Sequence, residues 1–141
     1  MTINEAREAV YERWRAAALL PASQYAFDNE RFEPPVNPTT GLNLPWARVS
    51  VRHIASDQET LGALGERRYN RRALLFVKLY DALESGAFTL DSLGQQVRAV
   101  FEGTTFDTVR FSKGVLVRES LPDETWEIRV VEAEFDYEER K

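Results

Sequence analysis

From Ala47 to His53 the chain alternates between apolar and polar positions with a period of two. Ala47, Val49, Val51 and His53 fall on one side and Arg48, Ser50 and Arg52 on the other, which predicts a half-buried strand. Leu74 to Tyr80 is apolar at nearly every position apart from Lys78, the pattern of a central strand covered on both sides. Between them lies a polar stretch with Asp57, Glu59, Gly62 and Gly65, followed by Glu66 and the arginines Arg67, Arg68, Arg71 and Arg72. This segment predicts a wide hairpin carrying a charged arm over about 55–72.

The N-terminal segment has a different period. Thr2 and Glu5 have the spacing of a capping box, and Ile3, Ala6, Val10, Trp14, Ala17 and Ala18 recur at helical intervals until Pro21. A short strand is expected within Ser23 to Asp28. Residues 29–44, with Pro34, Pro35, Pro38 and Gly41, read as a flexible proline-rich loop, either a plain surface loop or an arm that orders against a neighbour. Thr89 is expected to cap a second helix, Leu90 to Glu102, with Leu93, Val97, Val100 and Phe101 inward and Gly103 as its stop. Val109 to Glu119 reads as a strand with an irregularity at Lys113–Gly114, and Leu121 to Glu124 as a turn.

The last strand, Trp126 to Tyr137, changes parity. Trp126, Ile128 and Val130 are apolar at even positions, whereas Val131, Ala133, Phe135 and Tyr137 are apolar at odd ones. A β-bulge near Val130–Val131 would reconcile the two halves. Opposite the odd set lies a row of carboxylates, Glu132, Glu134, Asp136 and Glu138. The elements together predict an α+β domain spanning 1–141: one mixed or antiparallel sheet of about four to five strands, packed with two main helices.

Composition narrows the functional classes. A chain of 141 residues, 43% hydrophobic and 29% charged, is that of one soluble globular domain. It has no cysteine, no apolar run long enough for a membrane span, and no basic-then-apolar leader at Met1–Glu5. The net charge of −5 argues against wrapping nucleic acid. His53 is the only histidine and shares a strand face with Val49 and Val51, so it reads as a core or edge histidine. Asp28, Glu30 and Glu33 lack the spacing and glycine of a calcium loop, and no zinc, phosphate-loop, dinucleotide or nucleophile-elbow pattern occurs. The sequence therefore carries no recognisable catalytic machinery, metal set or cofactor motif, and the chain reads as a non-enzyme.

The charged groups admit several readings. Arg67, Arg68, Arg71 and Arg72 suit carboxylates of another subunit, a phosphate, or plain solvation beside Glu66. The acidic row is tolerable as a solvated strand face, or as the wall of a hole through which a polyanion slides without sticking.

Several segments resemble the tail terminator-like proteins of long-tailed phages and prophages. These are Ala6 to Ala18 with Tyr11-Glu12-Arg13-Trp14, Pro45 to Arg52, Gln58 to Gly62 with Gly65 to Arg68, Val97 to Gly103, and Val131 to Tyr137. The resemblance implies a virion structural protein, assembled in the host cytoplasm, that forms a hexameric ring at the head-proximal end of the tail tube. Such a ring ends tube polymerisation, meets the tube protein and a head-completion or connector protein, and lets DNA pass without specific binding. On that reading Arg67, Arg68, Arg71 and Arg72 belong to a subunit interface, and Glu132, Glu134, Asp136 and Glu138 face the lumen. Another head–tail connector or tube-like ring protein is the neighbouring alternative, and a small-molecule-binding domain or enzyme around His53 the distant one.

Overall fold

The computed structural model describes residues 1–58, 63–84, 86–123 and 125–140. Glu59 to Gly62 of the hairpin tip and Glu124 of the expected turn lie outside them. The chain is α+β, with two α-helices on one face of a mixed sheet that has seven strands among the described residues, more than the four to five expected.

Helix α1, Ile3–Ala17, begins with the expected capping box, Glu5 N–H donating to Thr2 Oγ1 and Thr2 N–H to the Glu5 carboxylate. It ends at Ala18, whose left-handed backbone (φ 49°) closes it before Pro21. A short turn then leads into β1, Tyr25–Phe27, which runs parallel to β2, Trp46–Gln58. β2 pairs antiparallel with β3, Arg68–Ala82, and β3 with β7, Trp126–Arg140. Beyond β7 lie β6, Leu116–Glu119, and the small hairpin of β4, Thr105–Phe106, and β5, Val109–Arg110. The predicted strand from Val109 to Glu119 is thus two pieces. The intervening segment turns Phe111 and Val115 into the core.

Helix α2, Phe88–Phe101, starts earlier than expected: Ala87 is its N-cap with no side-chain hydrogen bond, and Thr89 lies inside the first turn. Gly103, at φ 69°, does take the left-handed backbone after the helix. Leu90, Leu93, Val97 and Phe101 face the sheet, while Val100 is half-buried.

The core lies between the helices and one sheet face. Val49, Val77 and Val131 stand side by side across β2, β3 and β7, as do Val51, Leu75 and Ala133, all buried. Ala6, Val10 and Trp14 of α1 cover this layer.

Two expectations fail here. β3 is not covered on both sides: Leu74, Phe76 and Tyr80 remain half-buried and Lys78 exposed on a face that no helix covers. Nor is there a bulge near Val130–Val131, because β3 and β7 pair in unbroken register from Arg68↔Arg140 to Ala82↔Trp126. The parity change has another cause. The early half of β7 contributes its even residues to an apolar cluster on the uncovered face, and the later half its odd residues to the main core. The register shift in this sheet lies instead in β2, between His53 and Ala55. His53, the last residue in register before the shift, is exposed at the end of its core-facing row.

The loop over 29–44 is tied to the sheet at its start. Arg48 Nη1 donates to the carbonyls of Phe27 (3.0 Å) and Glu30 (3.2 Å), and Phe32 packs on Trp46 at 5.0 Å. Within it, Val36 and Asn43 form a bridge around a turn in which Asn37 Oδ1 accepts from the Thr39 and Thr40 amides.

Candidate interaction surfaces

The uncovered sheet face holds most of the sequence-predicted charges, because even-numbered residues of β2, β3 and β7 project there. At one end it carries aromatic rings: Trp46 stacks on Tyr80 at 4.0 Å, and Trp126 meets Trp46 edge-on at 5.9 Å. At the other end lies the acidic row. It is not a bare negative strip. Glu132 pairs with Arg118 (2.6 Å), Glu134 with Lys113 (3.0 Å) and Arg72 (3.8 Å), and Asp136 with Arg110 (2.6 Å). Cations on the flanking strands remove the repulsion that a solvated row would suffer. Glu138 alone of the four makes no ion pair among the described residues.

The four arginines do not form one patch. Arg71 and Arg72 are neighbours in β3 and so project to opposite faces. Arg71 lies on the helix side, where Nε reaches Glu139 at 3.2 Å and the guanidinium sits over Tyr69. Arg72 lies on the uncovered side, towards Glu134. Arg67 is half-buried and Arg68 exposed near the start of the strand. Carboxylates of β7 in the same chain, Glu139 and Glu134, pair with Arg71 and Arg72.

Sequence reasoning missed a different basic group. In the β2–β3 register Arg48 stands directly opposite Lys78, with Arg52 four residues further along the same face of β2. None of the three makes an ion pair among the described residues, and Lys78 and Arg52 are exposed. Like charges directly across an antiparallel pair are unfavourable. Alternation revealed each strand, but only the register places Arg48 against Lys78. Beside them run the half-buried Leu74 and Phe76, and across β7 Leu116 is 53% exposed.

His53 lies at the rim of a cleft of about 480 Å³ with Thr2, Ile3, Arg7, Arg71, Tyr137 and Glu139. Tyr137 is fully buried, and its hydroxyl has no hydrogen-bond partner among the described residues. Burial raises its pKa, Glu139 adding to the effect and Arg71 and Arg7 opposing it. The hydroxyl is therefore a protonated donor at neutral pH.

On the helix side, Arg129 is 4% exposed yet charged. It donates to Glu127 (2.7 Å) and Asp91 (3.0 Å) and lies 3.8 Å from Glu119. Burial alone would lower its pKa, but the hydrogen bonds to Glu127 and Asp91 hold it above the ordinary value. This guanidinium ties α2 to β6 and β7.

Among the described residues no group of three or more His, Asp or Glu converges to hold a metal ion, and no helix is long and apolar enough to cross a membrane. No protein-family model matches the sequence. No curated protein matches it either. One solved structure is similar over nearly the whole length, covering 97% of this chain and 96% of its own, with a TM-score of 0.69 at 17% identity. At that identity the likeness speaks for the fold, and the name of that protein states no function.

Proposed function

We propose that this chain is a tail terminator-like structural protein, which assembles as a ring on the head-proximal end of a phage tail tube, ends its growth and offers the joining surface to the head. The observation that carries the reading is the uncovered sheet face. It combines half-buried Leu74 and Phe76 with Arg48, Lys78 and Arg52, which make no ion pair among the described residues, Arg48 donating only to the Phe27 and Glu30 carbonyls. Such a surface suits burial against another protein. The sequence resemblance supplies the kind of assembly, and the absence of a catalytic motif in the sequence fits a structural role.

On this reading the charge pairs inside the chain narrow the interface. Arg71 and Arg72 act first as intrachain braces, through Glu139 and Glu134 of β7. The row from Glu132 to Asp136 is neutralised in place, so the charge it presents to passing DNA is small, and Glu138 is its remaining unpaired member. Tube protein polymerised with and without this chain tests the proposal. Terminator activity gives short tubes whose length no longer grows with time. Unchanged length distributions exclude it, and incorporation of this chain along the tube selects the tube-like alternative.

A second reading, a small-molecule-binding domain, draws on the cleft beside His53, where the Tyr137 hydroxyl is buried without a partner. Amide-shift titration with a simple carboxylate such as benzoate separates the two readings. Saturable shifts at Ile3, Arg7 and His53 that vanish in Tyr137→Phe favour binding, and featureless titration removes it.

A further inference from the structure

We infer that the outer face of helix α1 of one copy docks on the uncovered sheet face of the next, its Glu5, Glu8 and Glu12 meeting Arg48, Lys78 and Arg52. The inference rests on the ring reading and names the two patches that such a ring would join.

Three observations carry it. First, the acidic stripe is built by helical spacing. Glu5, Glu8 and Glu12 follow one another at intervals of three and four and lie opposite the buried Ala6, Val10 and Trp14, so they share the outer face of α1. Glu8 and Glu12 share a single cation, Arg15, at 2.7 and 3.1 Å, so the stripe keeps a net negative charge. Second, Arg48, Lys78 and Arg52 form a positive group with no ion pair among the described residues. Third, the lengths agree. Glu5 and Glu12, seven positions apart on the helix, are separated by about 10 Å at 1.5 Å per residue, and Arg48 and Arg52, four positions apart on the strand, by about 13 Å.

Topology forbids the contact within one chain. Helix α1 packs on one face of the sheet, and Arg48, Lys78 and Arg52 project from the other. Two different patches on opposite layers make a head-to-tail interface, the kind that generates a ring when its rotation closes. Leu74 and Phe76, beside the basic group, would be covered by the half-buried Ala9 and the aliphatic stems of the glutamates.

The test uses the full chain, assembled on tail tubes from an equal mixture of unlabelled and ¹⁵N-labelled copies, then treated with a carbodiimide, which joins amines directly to carboxylates. The expected products are mixed-isotope peptides linking Lys78 to Glu8 or Glu12. Lys78→Glu and Glu8→Lys should each reduce capping more than about tenfold through like-charge contact, and the double variant should restore it. Both positions are exposed, so far-ultraviolet circular dichroism of each variant should match the parent. Capping that proceeds without these links and tolerates both charge reversals overturns the interface and leaves the ring reading standing. A chain that never associates, alone or on tubes, overturns both.

Discussion

Trp46 lies flat against Tyr80, their ring centroids 4.0 Å apart and their planes within 7°, on the sheet face opposite the helices. With Phe32 and Trp126 against them they form a second, smaller apolar cluster. It anchors both the loop over 29–44 and the start of β7. Trp46→Ala is expected to cost about 3–5 kcal/mol, the range for a buried large aromatic. Urea denaturation gives the loss, and faster proteolysis within 29–44 in the variant would show that the loop is pinned there.

Arg129 is a buried cation on the helix side, and its partners differ widely in exposure: Glu127 at 30%, Asp91 at 56% and Glu119 at 80%. Arg129→Ala should therefore destabilise by about 2–3 kcal/mol through the stranded Glu127 and the lost packing. Asp91→Asn should cost less than about 1 kcal/mol, since a half-exposed partner is replaced by water. Thermal denaturation of the two variants side by side checks the order, and equal losses would refute it.

Gly94 lies in the middle of α2 because β6 crosses close to it. A Cβ there would stand 2.9 Å from Val117 Cγ1. Alanine gains about 1 kcal/mol of helix propensity, but overpacking against a stiff β-branched side chain costs about 1–3 kcal/mol. Gly94→Ala is thus expected to destabilise. In the Val117→Ala background the clash disappears, and the same change should become stabilising. A double-mutant cycle in urea reads the reversal of sign.

Glu102 sets an acid limit on stability. Its carboxylate accepts the Val115 amide at 2.8 Å and pairs with Arg98 at 2.9 Å, and these bonds, the Val115 amide first, lower its pKa. A lowered folded-state pKa means that the unfolded chain takes up the proton first. The stabilisation is present above the ordinary carboxylate pKa and is lost as pH falls through the lowered value. Glu102→Gln should reduce stability at neutral pH and flatten this part of the acid limb, as denaturation midpoints between neutral and acid pH will reveal.

Much of the architecture could be read along the chain because local signals agreed with tertiary packing. The Thr2–Glu5 box and the Ala6–Val10–Trp14 stripe place α1, and the Ala47–Val49–Val51 alternation places the core face of β2. What escaped was whatever depends on two faces at once. Trp126, Ile128 and Val130 suggested a bulge because their change of parity was read as a change of backbone, whereas the strand runs unbroken and Trp126 joins the cluster around Trp46. Thr89 resembled a cap, yet the helix starts before it with no side-chain cap. The same blind spot applied to the surface. Arg71 and Arg72 stand together in sequence and apart in space, while Arg48 and Lys78 are thirty positions apart and directly paired. Register, rather than composition, decides which charges meet.

The proposed capping of a tube end is open to direct observation. Electron microscopy of cognate tail tubes incubated with gold-labelled protein tests it most directly. Capping is expected to place label at one end of each tube, with no further growth when tube protein is added. Label along the walls, or none at either end, would contradict it.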